Sequence, residues 1–86
     1  MHLKIAVLEP DYEKAKTLVH EVIKAYTGLP IIVEVEKLRD MKKIQKFEVP
    51  ETPALVINKK LKVCGRIPEK DEIRKLILEE LNSTKN

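Results

Sequence analysis

An α/β fold, with a four-stranded mixed sheet and helices on both faces, is what this 86-residue chain predicts. Three observations carry it. Two short apolar runs, 3–8 and 30–38, flank a stretch with helical spacing, the pattern of a β-α-β crossover. Two further β-rich runs, 53–57 and 60–64, meet at Asn58-Lys59, which suits a tight hairpin. An amphipathic stretch then closes the chain. The element order is β-α-β-α-β-β-α.

Each element has its own reason. "LKIAVL", 3–8, is apolar and too short for a helix, so it reads as a buried strand. In the stretch that follows, Ala15, Leu18, Val19, Val22, Ile23 and Tyr26 recur at helical spacing. Pro10 suits a first-turn position, and Glu9, Asp11 and Glu13 put negative charge at the positive end of the helix dipole. Gly28 and Pro30 mark the stop. "PIIVEVEKL" alternates Ile31, Val33 and Val35 toward one face of a second strand. "RDMKKIQKF" is a short helix with Leu38, Met41 and Ile44 three apart and Asp40 as its cap. In the hairpin "PALVI"/"KLKVC", Asn58 tolerates the positive φ of the turn. The last helix turns Ile73, Leu76, Ile77 and Leu81 to one side.

The bulk properties set bounds. A chain of 86 residues has room for one core, so a single domain is expected over 1–82 with a frayed, disordered tail at 83–86. No apolar run nears the roughly 20 residues that span a bilayer, and the start does not read as a secretory signal. One cysteine excludes an internal disulfide, and a cytoplasmic protein is expected. Seventeen basic residues are interleaved with 14 acidic ones, as on a solvated ion-pair surface. The abundance of Lys and Glu leans toward heat adaptation. Aromatics at 3% are too few for a base-stacking platform.

The element order, with Thr52-Pro53 opening the third strand, resembles the thioredoxin-like fold. More narrowly, the chain is similar to the small prokaryotic thioredoxin/glutaredoxin-like "redox-active disulfide" proteins. The likeness covers nearly the whole chain and is strongest over "TPALVINKKLKVCGRIPEKDEIRKLI", 52–77. It implies that the peptide bond before Pro53 is cis. It also implies that Pro53 bends the chain beside the redox site and leaves the Thr52 backbone free to pair with an extended partner strand. The family's chemistry needs Cys-x-x-Cys between the first strand and first helix, where the helix end stabilises the attacking thiolate. Those positions fall on or near Tyr12 and Ala15, so this chain alone has no dithiol exchange. Acids crowd the same turn and would raise a thiol's pKa. The glutaredoxin Gly-Gly pair is incomplete, because Arg66 follows Gly65, which argues against glutathione. No cofactor is expected.

Cys64 then becomes the question. A two-residue turn at Asn58-Lys59, continued as a regular ladder, sets Pro53 opposite Cys64. Cys64 is then either a relocated single thiol, with Arg66 near enough to favour its thiolate, or a small residue filling a buried sheet position. His2 and His20 lack partners at metal-ligand spacing. Tyr12 is either a contact for a partner or a lid on the end of the core. Lys42, Lys43 and Lys46 with Lys59, Lys60 and Lys62 would form a basic patch if the short helix and hairpin tip lie close. Interspersed acids and the usual role of edge lysines favour a solvated face instead.

The expectation is therefore a thioredoxin-like binding or assembly module without redox activity. Its contact surface would comprise Thr52, Pro53, Asp11, Tyr12 and Arg66, and its partner would be another protein or an extended peptide. A monothiol redox protein using Cys64 is the alternative, and a nucleic-acid accessory the third reading.

Overall fold

The computed structural model describes residues 1–83. Its elements are β1 (His2–Leu8), α1 (Tyr12–Tyr26), β2 (Ile32–Leu38), α2 (Met41–Gln45), β3 (Ala54–Ile57), β4 (Lys60–Cys64) and α3 (Lys70–Ser83). The expected order holds. Of the tail expected at 83–86, Ser83 ends α3, and the remaining three residues lie outside the described ones.

The strands lie in the order β2-β1-β3-β4. β1 runs parallel to β2 and antiparallel to β3, and β3 is antiparallel to β4, so the sheet is mixed. Central position explains composition. Ile5, Ala6, Val7 and Leu8 of β1 and all four residues of β3 are buried, as continuous apolar runs require. Outer β2 alternates exposed and half-buried residues, in keeping with its Val-Glu-Val-Glu pattern.

Side-chain alternation separates two cores. On one face Leu18, Val22 and Ala25 of α1 and Ile73 and Ile77 of α3 pack against Leu3, Ile5, Val7, Leu55, Ile57 and Val63. On the other, Ile44 of α2 packs against Ala6, Leu8, Ala54 and Val56. The sheet therefore has helices on both faces.

Three expectations need correction. Pro10 is not in the first turn of α1. Asp11 takes the cap, its carboxylate accepting from the Lys14 N–H at 2.9 Å, and this leaves Pro10 before the cap. Leu38 does not join the short helix, because it closes β2 opposite Leu8. The basic patch does not assemble either. Lys60 and Lys62 reach α3, each with Nζ 3.3 Å from the carboxylate of Glu80, whereas the lysines of α2 belong to the opposite face of the sheet. Glu80 is only 2% exposed, and a carboxylate so placed draws any cation within reach.

The hairpin turn is as expected, with Asn58 and Lys59 both at positive φ (49° and 70°), the combination a type I′ turn requires. Its ladder is not regular. Ile57 faces Lys60 and Val56 faces Leu61, but a bulge follows, so Leu55 faces Val63 and Ala54 faces Cys64.

Candidate functional site

One end of the sheet gathers most of the residues singled out from sequence. Leu8 closes β1 beside both Leu38 and Ala54, and Ala54 faces Cys64. The turn 9–12, the segment 39–40, Thr52-Pro53 and Cys64–Arg66 consequently emerge together.

The turn after β1 is built on carboxylates. Glu9, 5% exposed, accepts the Asp11 N–H at 2.7 Å, and its own N–H donates to the Leu38 carbonyl at 3.0 Å. Asp11 in turn caps α1. Both acids serve backbone N–H groups in a turn where the resemblance places an attacking thiol. Tyr12, the first residue of α1, is half exposed, and Ala15 is buried in the helix's inner face. The Tyr12 ring lies 5.6 Å from the Lys37 ammonium and 5.2 Å from the Arg39 guanidinium, both within cation–π range. Arg39 also donates from Nε to the Pro10 carbonyl at 3.3 Å.

Across the sheet end, the Thr52–Pro53 peptide bond is cis. Pro53 is buried, and its carbonyl accepts the Gly65 N–H at 2.9 Å. β3 starts one residue later, at Ala54, and is paired on both sides. Since β3 is central, the expected binding edge is no lateral edge. The unladdered backbone is the lead-in at Thr52, which is half-buried. Beside it opens a groove of about 360 Å³ between α2 and the approach to β3. Met41, Ile44, Gln45, Val49, Pro50, Glu51 and Thr52 line it.

The bulge relocates Cys64. It faces Ala54 rather than Pro53, and opposite residues of a ladder share a face, so its side chain joins the α2 side with Leu38 and Val49. It is half-buried, between the two readings made from sequence. Arg66 has a carboxylate partner of its own. Its guanidinium forks onto Glu72 at 2.8 and 2.5 Å. That pairing raises the pKa of Arg66 and lowers that of Glu72, in both cases chiefly through the hydrogen bonds. Gly65 has φ +83°, and an added Cβ there would meet the carboxylate of Glu51.

His2 lies on β1 and His20 on α1. Among the described residues no group of three or more His, Cys, Asp or Glu is placed to hold a metal, and no helix is long and apolar enough to cross a membrane. Sequence reasoning missed the groove and the pair Lys37 and Arg39. The groove could not be read, since its lining comes from a helix and a loop that meet only in the fold. Lys37 could have been found, because it has the parity of Val33 and Val35 and so shares their face of β2, the α1 side.

The comparisons agree with this geometry. A family model described as a thioredoxin domain matches residues 2–78. A curated thioredoxin from Methanothermobacter thermautotrophicus is 28% identical over 75 residues, covering 87% of this chain and 97% of that protein. With the match running from the first strand into the last helix, the chain belongs to the thioredoxin domain family.

Proposed function

We propose that this chain is a thioredoxin-domain binding module that docks an extended polypeptide segment at Thr52-Pro53 and performs no dithiol exchange of its own. The groove carries the reading. It opens directly beside the one stretch of chain, Thr52, that leads into the central strand without being laddered, and Ile44 and Val49 give it an apolar floor. An extended segment there would take backbone hydrogen bonds from Thr52 and place a side chain on that floor. Tyr12 and Asp11, across the sheet end, complete the contact surface. With a single cysteine in the chain, no internal disulfide can be exchanged. A reducing, cytoplasmic setting suits such a protein, and its Lys- and Glu-rich surface suits a heat-adapted one.

The test is a titration of isotope-labelled protein with a pool of short linear peptides, followed by NMR. Amide shifts should concentrate at residues 45, 51, 52 and 12, and Met41→Glu, on the exposed rim of the groove, should abolish them while the melting temperature holds. Shifts spread elsewhere, or unchanged in Met41→Glu, would reject the docking reading.

A second reading rests on Cys64. It packs on the cluster that includes Ile44 and Val49, two lining residues of the groove, so a docked disulfide would lie near its thiol. The Cys64 thiolate would attack one sulfur of that partner disulfide, break the S–S bond, form a mixed disulfide and release the other sulfur as a thiolate. The discriminating measurement is the alkylation rate of Cys64 from pH 5 to 10. A midpoint well below the free-thiol value of about 8.5 supports the monothiol reading, and no reaction before unfolding removes it.

A further inference from the structure

We propose that the Tyr12–Lys37–Arg39 cluster is a carboxylate receptor, so that the segment docking at Thr52 is an acidic one. This rests on the docking reading above and names the chemistry of its partner. Lys37 and Arg39 converge on one half-exposed ring, at 5.6 and 5.2 Å. Among the described residues neither cation has a carboxylate within ion-pair distance, whereas Lys24, Lys60, Lys62 and Arg66 each do.

Three of the neighbouring acids already accept backbone N–H groups. Glu9 accepts the Asp11 N–H, Asp11 caps α1 through Lys14 and Asp40 caps α2 through Lys42. Glu34 and Glu36 have the opposite parity to Val33, Val35 and Lys37, so the pleat turns them to the other face. Glu13, exposed on the next position of α1, is the remaining acid close in sequence.

Both cations are restrained before any ligand arrives, Arg39 by the ring and by the Pro10 carbonyl, Lys37 by the ring. Restraint lowers the ordering cost of binding. The guanidinium edge and the Tyr12 hydroxyl together offer the donors that a carboxylate takes. Location favours a polypeptide carboxylate. The cluster lies on the α1 side of the sheet and the groove on the α2 side. Arg39 is nevertheless two residues before Met41, a lining residue of the groove, so a chain lying over Thr52 meets this cluster by passing round the end of the sheet. The net charge of +3 draws acidic segments in the same sense.

The experiment selects short linear peptides from a displayed library on the full chain. Each selected peptide is then compared with its counterpart carrying Gln or Asn for Glu or Asp. Both are titrated into wild type, a Lys37→Gln/Arg39→Gln variant and Met41→Glu. Selected sequences should be rich in acids, and neutralising them should weaken binding to wild type about tenfold but leave the double variant unmoved. Equal binding of neutral and acidic peptides to wild type overturns the inference, as does an acid preference that survives in the double variant. Loss of binding in Met41→Glu without any acid preference removes this inference and keeps the docking reading. If no peptide is enriched, both fall. A single-stranded oligonucleotide that binds wild type and displaces the peptide at equal concentration would reassign the cations to phosphate and likewise overturn the inference.

Discussion

Single residues at the sheet end decide what this domain can do. Cys64 lost its expected place opposite Pro53 to one extra residue in β4, because a bulge shifts everything beyond it by one position. That shift also set its face. Gly65, next in the chain, is bound by its backbone. At φ +83° a side chain is strained, and its N–H holds the Pro53 carbonyl, so the residue cannot easily turn away. Gly65→Ala should therefore destabilise the protein by about 1–2 kcal/mol, measured by urea denaturation. A loss near zero would mean that the turn at residue 65 relaxes to accommodate a side chain. Tyr12 belongs to the same scale. Tyr12→Phe should keep both cations in place, whereas Tyr12→Ala removes the ring on which they converge.

Elements are held by a few local devices that can be tested one at a time. The α1 cap is one. Asp11→Ala removes the acceptor for the Lys14 N–H and should cost about 1 kcal/mol, with Asp11→Asn restoring most of it, as read from chemical denaturation. The hairpin turn is another. Lys59 sits at φ 70°, a conformation that costs a side-chain-bearing residue about 1 kcal/mol, and the preferred type I′ pair is Asn-Gly. Lys59→Gly should raise stability by about 0.5–1 kcal/mol, and a fall would indicate that the Lys59 side chain makes a contact of its own. Asn58 must stay, since its side chain accepts the Lys4 N–H at 2.9 Å and its N–H donates to the Lys4 carbonyl at 2.8 Å. α2 hangs on less. Ile44 is its one buried residue, so Ile44→Ala should cost about 2–4 kcal/mol and open the groove floor.

At the scale of the whole molecule, α3 is fastened at both ends. Near its start Lys70 donates its N–H to Glu21 of α1 at 3.0 Å, and Arg74 reaches the Ala25 and Thr27 carbonyls at the end of α1. Near its finish Glu80 holds Lys60 and Lys62 of β4. Burial pushes the Glu80 carboxyl up, but hydrogen bonds from Lys60 and Lys62, with their charge, outweigh it and leave the pKa lowered. A carboxyl with a lowered folded pKa binds its proton more weakly folded than unfolded. Its contribution is therefore complete above the ordinary carboxylate range and disappears as pH falls through the lowered value. Wild type should exceed Glu80→Gln in stability at neutral pH, and the gap should close in acid. A gap independent of pH would assign the effect to packing.

Sequence by itself determined the element order, the type of every element, the hairpin turn, the Asp40 cap and the general position of Thr52-Pro53. These follow from apolar periodicity and from the turn and cap chemistry of individual residues, which act over a few neighbours in the chain. It also determined that one cysteine cannot form an internal disulfide. Only the tertiary structure decided the rest. The bulge that turned Cys64, the salt bridges that drew Lys60 and Lys62 away from α2, the Arg66–Glu72 fork and the convergence of Lys37 and Arg39 on Tyr12 depend on which residues meet across the fold. The groove beside Thr52 belongs with them, being formed where one helix and one loop happen to pack. A long side chain near a surface can turn to several partners, and which of them lies within reach is fixed when the elements pack together.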